Sequence, residues 1–238
     1  MRHADSLVGS VLKALFMDFD GTLWDSEDAS FRSWQETYAE FGLTLSLEDF
    51  APVIGTVGGA DLLSELERRA RRPVDRELVG ERRRRRKLEL LESMNPRPGV
   101  LDYLRDARQL GLAVAIVSTD DTKWITQGLT ILGLLEAWDF IECADGDVSR
   151  AKPSPALYLS ALERLGIAPS EAIAIEDSPN GIRAAKRARI FTLAVPNKIT
   201  RHLDTSEADR IVMSLEELPL RQLVHDVESG GPSARGSR

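Results

Sequence analysis

The chain has 238 residues, 42% of them hydrophobic and 29% charged, with a formal net charge of −7. That length fits one large domain or a core with a smaller insert, and the acidic balance argues against nonspecific nucleic-acid binding. No apolar run approaches the roughly 18–20 residues that span a membrane, no secretory signal is expected from Met1-Arg2-His3-Ala4-Asp5, which opens no long apolar run, and Cys143 as the only cysteine excludes an intrachain disulfide, so a cytoplasmic protein is expected.

The first predicted element is the apolar strand Val11–Met17, which runs into Asp18-Phe19-Asp20-Gly21-Thr22-Leu23-Trp24-Asp25. Alternate strand residues point to one side, so Asp18 and Asp20 share one mouth while Phe19 packs away. Gly21 lets the chain turn without a Cβ clash. Two carboxylates and a turn at the carboxyl end of an apolar strand suit a hard cation and a phosphate. Read alone, the same residues also fit an ordinary polar turn.

Residues 24–97 show helical patterning (Phe31, Trp34, Tyr38, Phe41, then Leu62, Leu63, Leu66) and no convincing strand. Within them, Glu81 to Lys87 includes five consecutive arginines. This run is read as a solvated helix face with Glu77, Glu81 and Glu89 as partners; the alternative is an RNA-binding patch. Pro96-Arg97-Pro98-Gly99 closes the segment with turn chemistry. Placed after the first strand, the segment sits above Asp18 and Asp20, where a lid belongs.

Further strands are predicted at Leu112–Val117, Phe140–Ala144, Ala172–Ile175 and Ile190–Val195. Their unbroken apolar character suits a parallel sheet covered on both faces. Ser118-Thr119 follows the first of these, and Asp120 or Asp121 is expected to cap the next helix, whose free N–H groups suit a phosphate. Cys143 is read as a buried structural thiol. Lys152 falls in a loop, able to set a point charge against an anion. Ser154 is expected to cap a helix from Pro155 to Gly166, and Glu176-Asp177-Ser178 ends the Ala172–Ile175 strand. The low-complexity tail from Ser229 to Arg238 is expected to be disordered.

The combination resembles the haloacid dehalogenase-like superfamily of phosphotransferases, in its beta-phosphoglucomutase-like and phosphoglycolate-phosphatase-like branch. Four signature segments carry the resemblance in order: Asp18-Phe19-Asp20-Gly21-Thr22, Ser118, Lys152, and Glu176-Asp177 within Ile175 to Gly181. The fold expected is α/β, a doubly wound Rossmann-like parallel sheet with a small inserted α-helical cap. Residues 1–23 and 98–226 would form the core, 24–97 the cap and 227–238 a disordered tail.

The resemblance implies that Asp18 attacks phosphorus to give an aspartyl-phosphate, with Asp20 as acid and then base. It implies Mg²⁺ held by the Asp18 side chain, the Asp20 backbone carbonyl and Asp177, with Glu176 an additional or outer ligand. Ser118, Thr119 and Lys152 would bind substrate, and Thr22 would help fix the first loop and is counted with them. Asp20 argues against dehalogenation, because displacing halide needs no acid to protonate an oxygen. Mutases of this branch carry a histidine where this chain has Ser30, and basic residues around the cap glycine; Val53 to Asp61 has none. The expectation is therefore a Mg²⁺-dependent phosphatase acting on a small phosphomonoester such as a sugar phosphate, as a monomer or weak dimer without nucleic-acid or membrane partners. A phosphosugar mutase and a non-catalytic binding protein are the alternatives.

Overall fold

In the computed structural model, residues 12–53 and 61–230 are described. The chain opens with strand β1 (Ala14–Met17) and then leaves the sheet for helices α1 (Ser26–Ala39), α2 (Leu47–Phe50), α3 (Leu62–Ala70) and α4 (Arg76–Glu92). It returns through α5 (Val100–Leu110), β2 (Ala113–Ser118), α6 (Thr122–Ile131), β3 (Phe140–Cys143) and α7 (Ala156–Leu165). The last elements are β4 (Ala172–Glu176), α8 (Pro179–Arg187), β5 (Phe191–Ala194), β6 (Arg210–Ile211) and α9 (Leu220–Glu228). All six strands are parallel, in the order β3-β2-β1-β4-β5-β6. This is the expected α/β doubly wound sheet.

Alternation along each strand divides the core between the two faces. Leu15 and Met17 of β1 join Val114, Ile116, Ile173, Ile175 and Leu193 under α5, α6 and α9. Ala14 and Phe16 join Ala115, Val117, Ala172 and Ala174 under α7 and α8. Small residues on this second face let α8, with Ala184 and Ala185, lie close to the sheet. Each large side chain fully buried here contributes about 1.5–3 kcal/mol, so both faces resist opening. A third cluster joins Tyr38, Leu45, Phe50, Leu62, Leu66, Val74 and Val79 of the α1–α4 segment to Ile199.

Several local expectations shift. The β6 pair was not anticipated, being only Arg210–Ile211 at the sheet edge. Val11 lies outside the described residues. Helix α9 runs through Glu228, two residues into the stretch read as tail, because Leu220, Leu223 and Val224 anchor it; residues 231–238 lie outside the description. Ser154 is not the cap of α7: the helix begins after Pro155, and the Ser154 hydroxyl meets only the Ala156 N–H, at 3.4 Å. Cys143 is a buried thiol pushed up to about 12 by that burial, as a structural cysteine should be.

Candidate active site

The strand order sets β1 between β2 and β4, so the residues ending these three strands are neighbours. Asp18 continues β1, its N–H donating to the Ile175 carbonyl at 3.0 Å. Ser118 ends β2 and Glu176 ends β4. Open α/β sheets bind ligands at this carboxyl edge, where the connecting loops diverge. A cavity of about 340 Å³ opens there, lined by Asp18, Asp20, Ser118, Thr119, Lys152 and Asp177 among others. Phe19, between the two aspartates, is fully buried away from it, as strand alternation requires.

Lys152 arrives from the loop before α7 and is itself buried. Its Nζ lies 2.5 Å from Asp18 Oδ1 and 2.7 Å from Glu176 Oε1, and donates to the Val117 carbonyl at 2.7 Å. Burial pulls the lysine pKa down, but Asp18 and Glu176 outweigh it and hold the ammonium above its ordinary value. Burial also pushes Asp18 up to about 7, against the pull of Lys152. Asp177 is raised well above the usual carboxylate range, first by burial and then by Asp18 and Glu176.

Asp18, Glu176 and Asp177 each offer a carboxylate oxygen within 4.8 Å of the others. Three buried carboxylates cluster where Lys152 pairs with two of them, Asp18 and Glu176, and Glu176 Oε2 has no hydrogen-bond partner among the described residues. An oxygen-only donor set with surplus negative charge fits a hard divalent cation. Asp177 is oriented by Thr22 Oγ1, at 3.3 Å, and by Asn197 Nδ2, at 2.7 Å. Thr22 does not line the Asp18 cavity; the Gly21 turn directs its hydroxyl toward Asp177 instead of toward a substrate. Glu176 also lies behind the cavity wall, bonded to Tyr158 Oη at 2.6 Å.

Asp20 stands apart from the carboxylate triad. Its oxygens accept from Trp124 Nε1, at 3.1 and 3.0 Å, and from the Ser26 hydroxyl. Asp121 caps α6 by accepting from the Trp124 N–H, whereas Asp120 lines the cavity against Asp20. Burial and the Asp20 charge push Asp120 up to about 9. The first turn of α6 is less open to a phosphate than expected, because Asp145 occupies the Thr122 N–H at 2.7 Å and Asp121 the Trp124 N–H.

The arginine run resolves by helix geometry. Arg82 and Arg86, one turn apart, pair with Glu40, which caps α1, and Glu36 within it; Glu89 pairs with Arg85 and Arg86 as expected, whereas Glu77 and Glu81 pair with none of the run. Arg84 and Arg85 are exposed. Arg83 and Lys87, the next pair around the helix, line the cavity over Trp34 at 4.7 Å and Trp124 at 4.1 Å. These two cations were missed as site residues because the run was read as a single solvated face. The i, i+4 spacing on one helix was the available signal.

The family profile of haloacid dehalogenase-like hydrolases matches residues 15–195. The chain belongs to the haloacid dehalogenase-like hydrolase family. Within it, the chain is 38% identical to YhcW of Bacillus subtilis (strain 168) over 219 residues, 92% of this chain and 99% of that one. It is 32% identical to hexitol phosphatase B of Escherichia coli (strain K12) over 191 residues, 78% of this chain and 84% of the relative. Among solved structures, CbbY from Rhodobacter sphaeroides in complex with phosphate superposes with a TM-score of 0.70 at 30% identity, covering 87% of this chain and 96% of CbbY. The expected branch is borne out, and so is the enzyme class: a phosphatase among haloacid dehalogenase-like hydrolases. No helix among the described residues is long and apolar enough to cross a membrane.

Proposed function

We propose that this enzyme hydrolyses a small phosphomonoester with Mg²⁺, using Asp18 as nucleophile. The observation that carries the reading is the convergence of Asp18, Lys152, Ser118 and Asp177 on one cavity, with Glu176 completing the carboxylate triad behind its wall and Asp20 held to one side. The substrate phosphate sits against Asp18, Ser118, Thr119 and Lys152. An ionised Asp18 needs no base to make it a nucleophile, since a free aspartate ionises at about pH 3.9. Its oxygen forms the new bond to phosphorus as the ester P–O bond breaks, and Asp20 supplies the proton to the departing oxygen. Asp20 then takes a proton from the water that releases phosphate from Asp18.

Asp18, Asp177 and Glu176, with the Asp20 backbone carbonyl, would hold the Mg²⁺. When bound, the ion withdraws negative charge from the phosphoryl oxygens as a Lewis acid. Lys152 lowers the repulsion between Asp18 and an anionic ester by the same electrostatic logic.

The α1–α4 segment, residues 24–97 in the sequence division, acts as the cap. Ser30, Trp34, Phe50 and Leu62 from this segment line the cavity beside Arg83 and Lys87. A 340 Å³ enclosure suits a metabolite rather than a phosphoprotein. The relatives point the same way, one named for hexitol phosphates and another crystallised with phosphate. One buried cysteine fits a cytoplasmic setting.

A mutase remains the second reading for one reason. The sequence argument against it rested on Ser30 in the place of a histidine and on the absence of basic residues from Val53 to Asp61, of which 54–60 lie outside the described residues. Arg83 and Lys87 now bring two cations to the cavity from α4. Phosphate release from sugar phosphates, phosphoglycolate and p-nitrophenyl phosphate, with Mg²⁺ and with EDTA, tests the phosphatase. Conversion of beta-glucose 1-phosphate to the 6-phosphate without release would replace it with the mutase.

A further inference from the structure

The chain leaves the turn that follows β1 after Leu23-Trp24 and comes back against it at Arg97, whose N–H donates to the Leu23 carbonyl at 2.9 Å. The Arg97 side chain does not extend into solvent from this junction; it is only 9% exposed. Its Nη1 donates to the Gly21 carbonyl at 2.5 Å and to Val195 O at 2.8 Å, and Nη2 to Pro196 O at 3.1 Å. Nε faces Asp25 at 3.4 Å. One planar guanidinium thus ties the catalytic turn, the start of the helical segment and the loop after β5 together.

Asn197 completes the arrangement from that same loop. Its Nδ2 donates to the Gly21 carbonyl at 3.1 Å and to Asp177 Oδ2 at 2.7 Å. On the other side, Oδ1 accepts from the N–H groups of Ile199, at 2.7 Å, and Thr200, at 2.9 Å. The buried amide is used fully, two donors toward the site and an acceptor toward its own loop. Gly21 packs hard against this pair: with φ of +79°, a Cβ there would fall 2.4 Å from Asp177 Oδ2 and 2.6 Å from Asn197 Nδ2. Neither Arg97 nor Asn197 lines the Asp18 cavity, so both act through other groups.

We infer that Asn197 and Arg97 are positioning residues, Asn197 fixing the Asp177 carboxylate for a divalent cation and both fixing the Gly21 turn that carries Asp20. The inference rests on the proposed metal-dependent phosphatase. Groups that orient a metal ligand typically change metal affinity by about 10–100-fold when removed. Arg97 donates to the Gly21 carbonyl but reaches Asp177 through its charge and not through a hydrogen bond, so it sets the acid–base side of the site more than the metal side.

The test is calorimetric titration of Mg²⁺ into the full chain and its Asn197→Ala, Arg97→Lys and Thr200→Val variants, with melting curves and phosphate-release kinetics on each. Thr200→Val removes the hydroxyl that accepts from the Asn197 N–H at 2.9 Å, loosening the loop while leaving both Nδ2 contacts. Asn197→Ala is expected to raise the Mg²⁺ Kd by about tenfold or more. Thr200→Val is expected to lower the melting temperature with Kd within about twofold of wild type, which separates positioning from loop stability. Arg97→Lys is expected to lower kcat by about tenfold at saturating Mg²⁺ while changing KM much less, because a point charge cannot reproduce the fork. An Asn197→Ala variant with the wild-type Kd, or a Thr200→Val variant weakened as much as Asn197→Ala, overturns the positioning role. So does a wild-type chain that takes up no Mg²⁺. A chain that binds Mg²⁺ with the expected differences yet releases no phosphate leaves the positioning intact and removes the phosphatase.

Discussion

Lys152 Nζ meets Asp18 Oδ1 at 2.5 Å across 134 positions of sequence, and the same ammonium reaches Glu176 Oε1 at 2.7 Å. One buried cation therefore holds together two carboxylates that would otherwise repel, and keeps the proposed nucleophile beside the place a phosphate would occupy. The surplus of negative charge that remains is what makes the triad hospitable to a divalent ion.

Asp18→Asn removes the nucleophile's charge and leaves its volume. Turnover is expected to fall by about a thousandfold or more, while the melting temperature stays equal or rises, because burial already disfavours the charged form. Near-normal phosphate release by this variant would falsify the mechanism.

The raised carboxylates make a pH prediction for stability. Asp18 (up to about 7), Asp120 (up to about 9) and Asp177 all hold protons more tightly in the fold than in the unfolded chain. The folded state then binds more protons between the unfolded value near 4 and these raised values, so stability falls as pH rises through that window. In EDTA the protein should melt lower at pH 8 than at pH 5, by about 2–4 °C for each kcal/mol lost. Added Mg²⁺ should raise the melting temperature more at pH 8 than at pH 5. An EDTA melting temperature that climbs across this range contradicts the assignment.

The arginine run divides into two classes with different phenotypes. Arg82→Gln and Arg86→Gln break solvent-screened pairs with Glu40 and Glu36 and should shift melting little, with KM unchanged. Arg83→Gln and Lys87→Gln remove cations from the cavity, where neither has a carboxylate partner within 4.0 Å among the described residues. They should raise KM for an anionic ester by about tenfold and shift melting little. Equal KM values across the four variants would return the whole run to a solvated face.

Two helical glycines should respond oppositely to alanine. A Cβ on Gly181 of α8 would lie 1.9 Å from Glu176 Oε2, against a carboxylate with no room to retreat. Gly181→Ala is expected to cost about 1–3 kcal/mol and to weaken Mg²⁺ binding. A Cβ on Gly80 of α4 would meet nothing within 4 Å among the described residues outside its own helix turn, so Gly80→Ala should stabilise by about 0.5–1 kcal/mol. Paired denaturant unfolding decides the signs.

Much of the fold and site was legible because the signals are local. Apolar strands without alternation announce a sheet covered on both faces, and a motif that ends such a strand lies at its carboxyl edge wherever that strand falls in the sheet. Asp18, Asp20, Ser118, Thr119, Lys152 and Asp177 do line one cavity, as the motif order suggested. The two-residue β6 carried too few residues for a periodic signal, and Ser154 failed as a cap because Pro155 already sets the entry to α7.

What the sequence determined by itself was the order of chemical groups along the strand ends and the surplus of carboxylates among them. Tertiary structure alone decided which of those groups touch. The placing of β1 between β2 and β4 brings Lys152, Glu176 and Asp177 to Asp18. The crossing of α4 over α1 turns Arg82 and Arg86 toward glutamates and Arg83 and Lys87 toward the cavity. Arg97 and Asn197, far apart in the sequence, reach one carbonyl, that of Gly21, side by side. A residue's type and its phase on a helix or strand are properties of neighbouring sequence, whereas the partner it meets depends on how distant elements pack, and no local period encodes that.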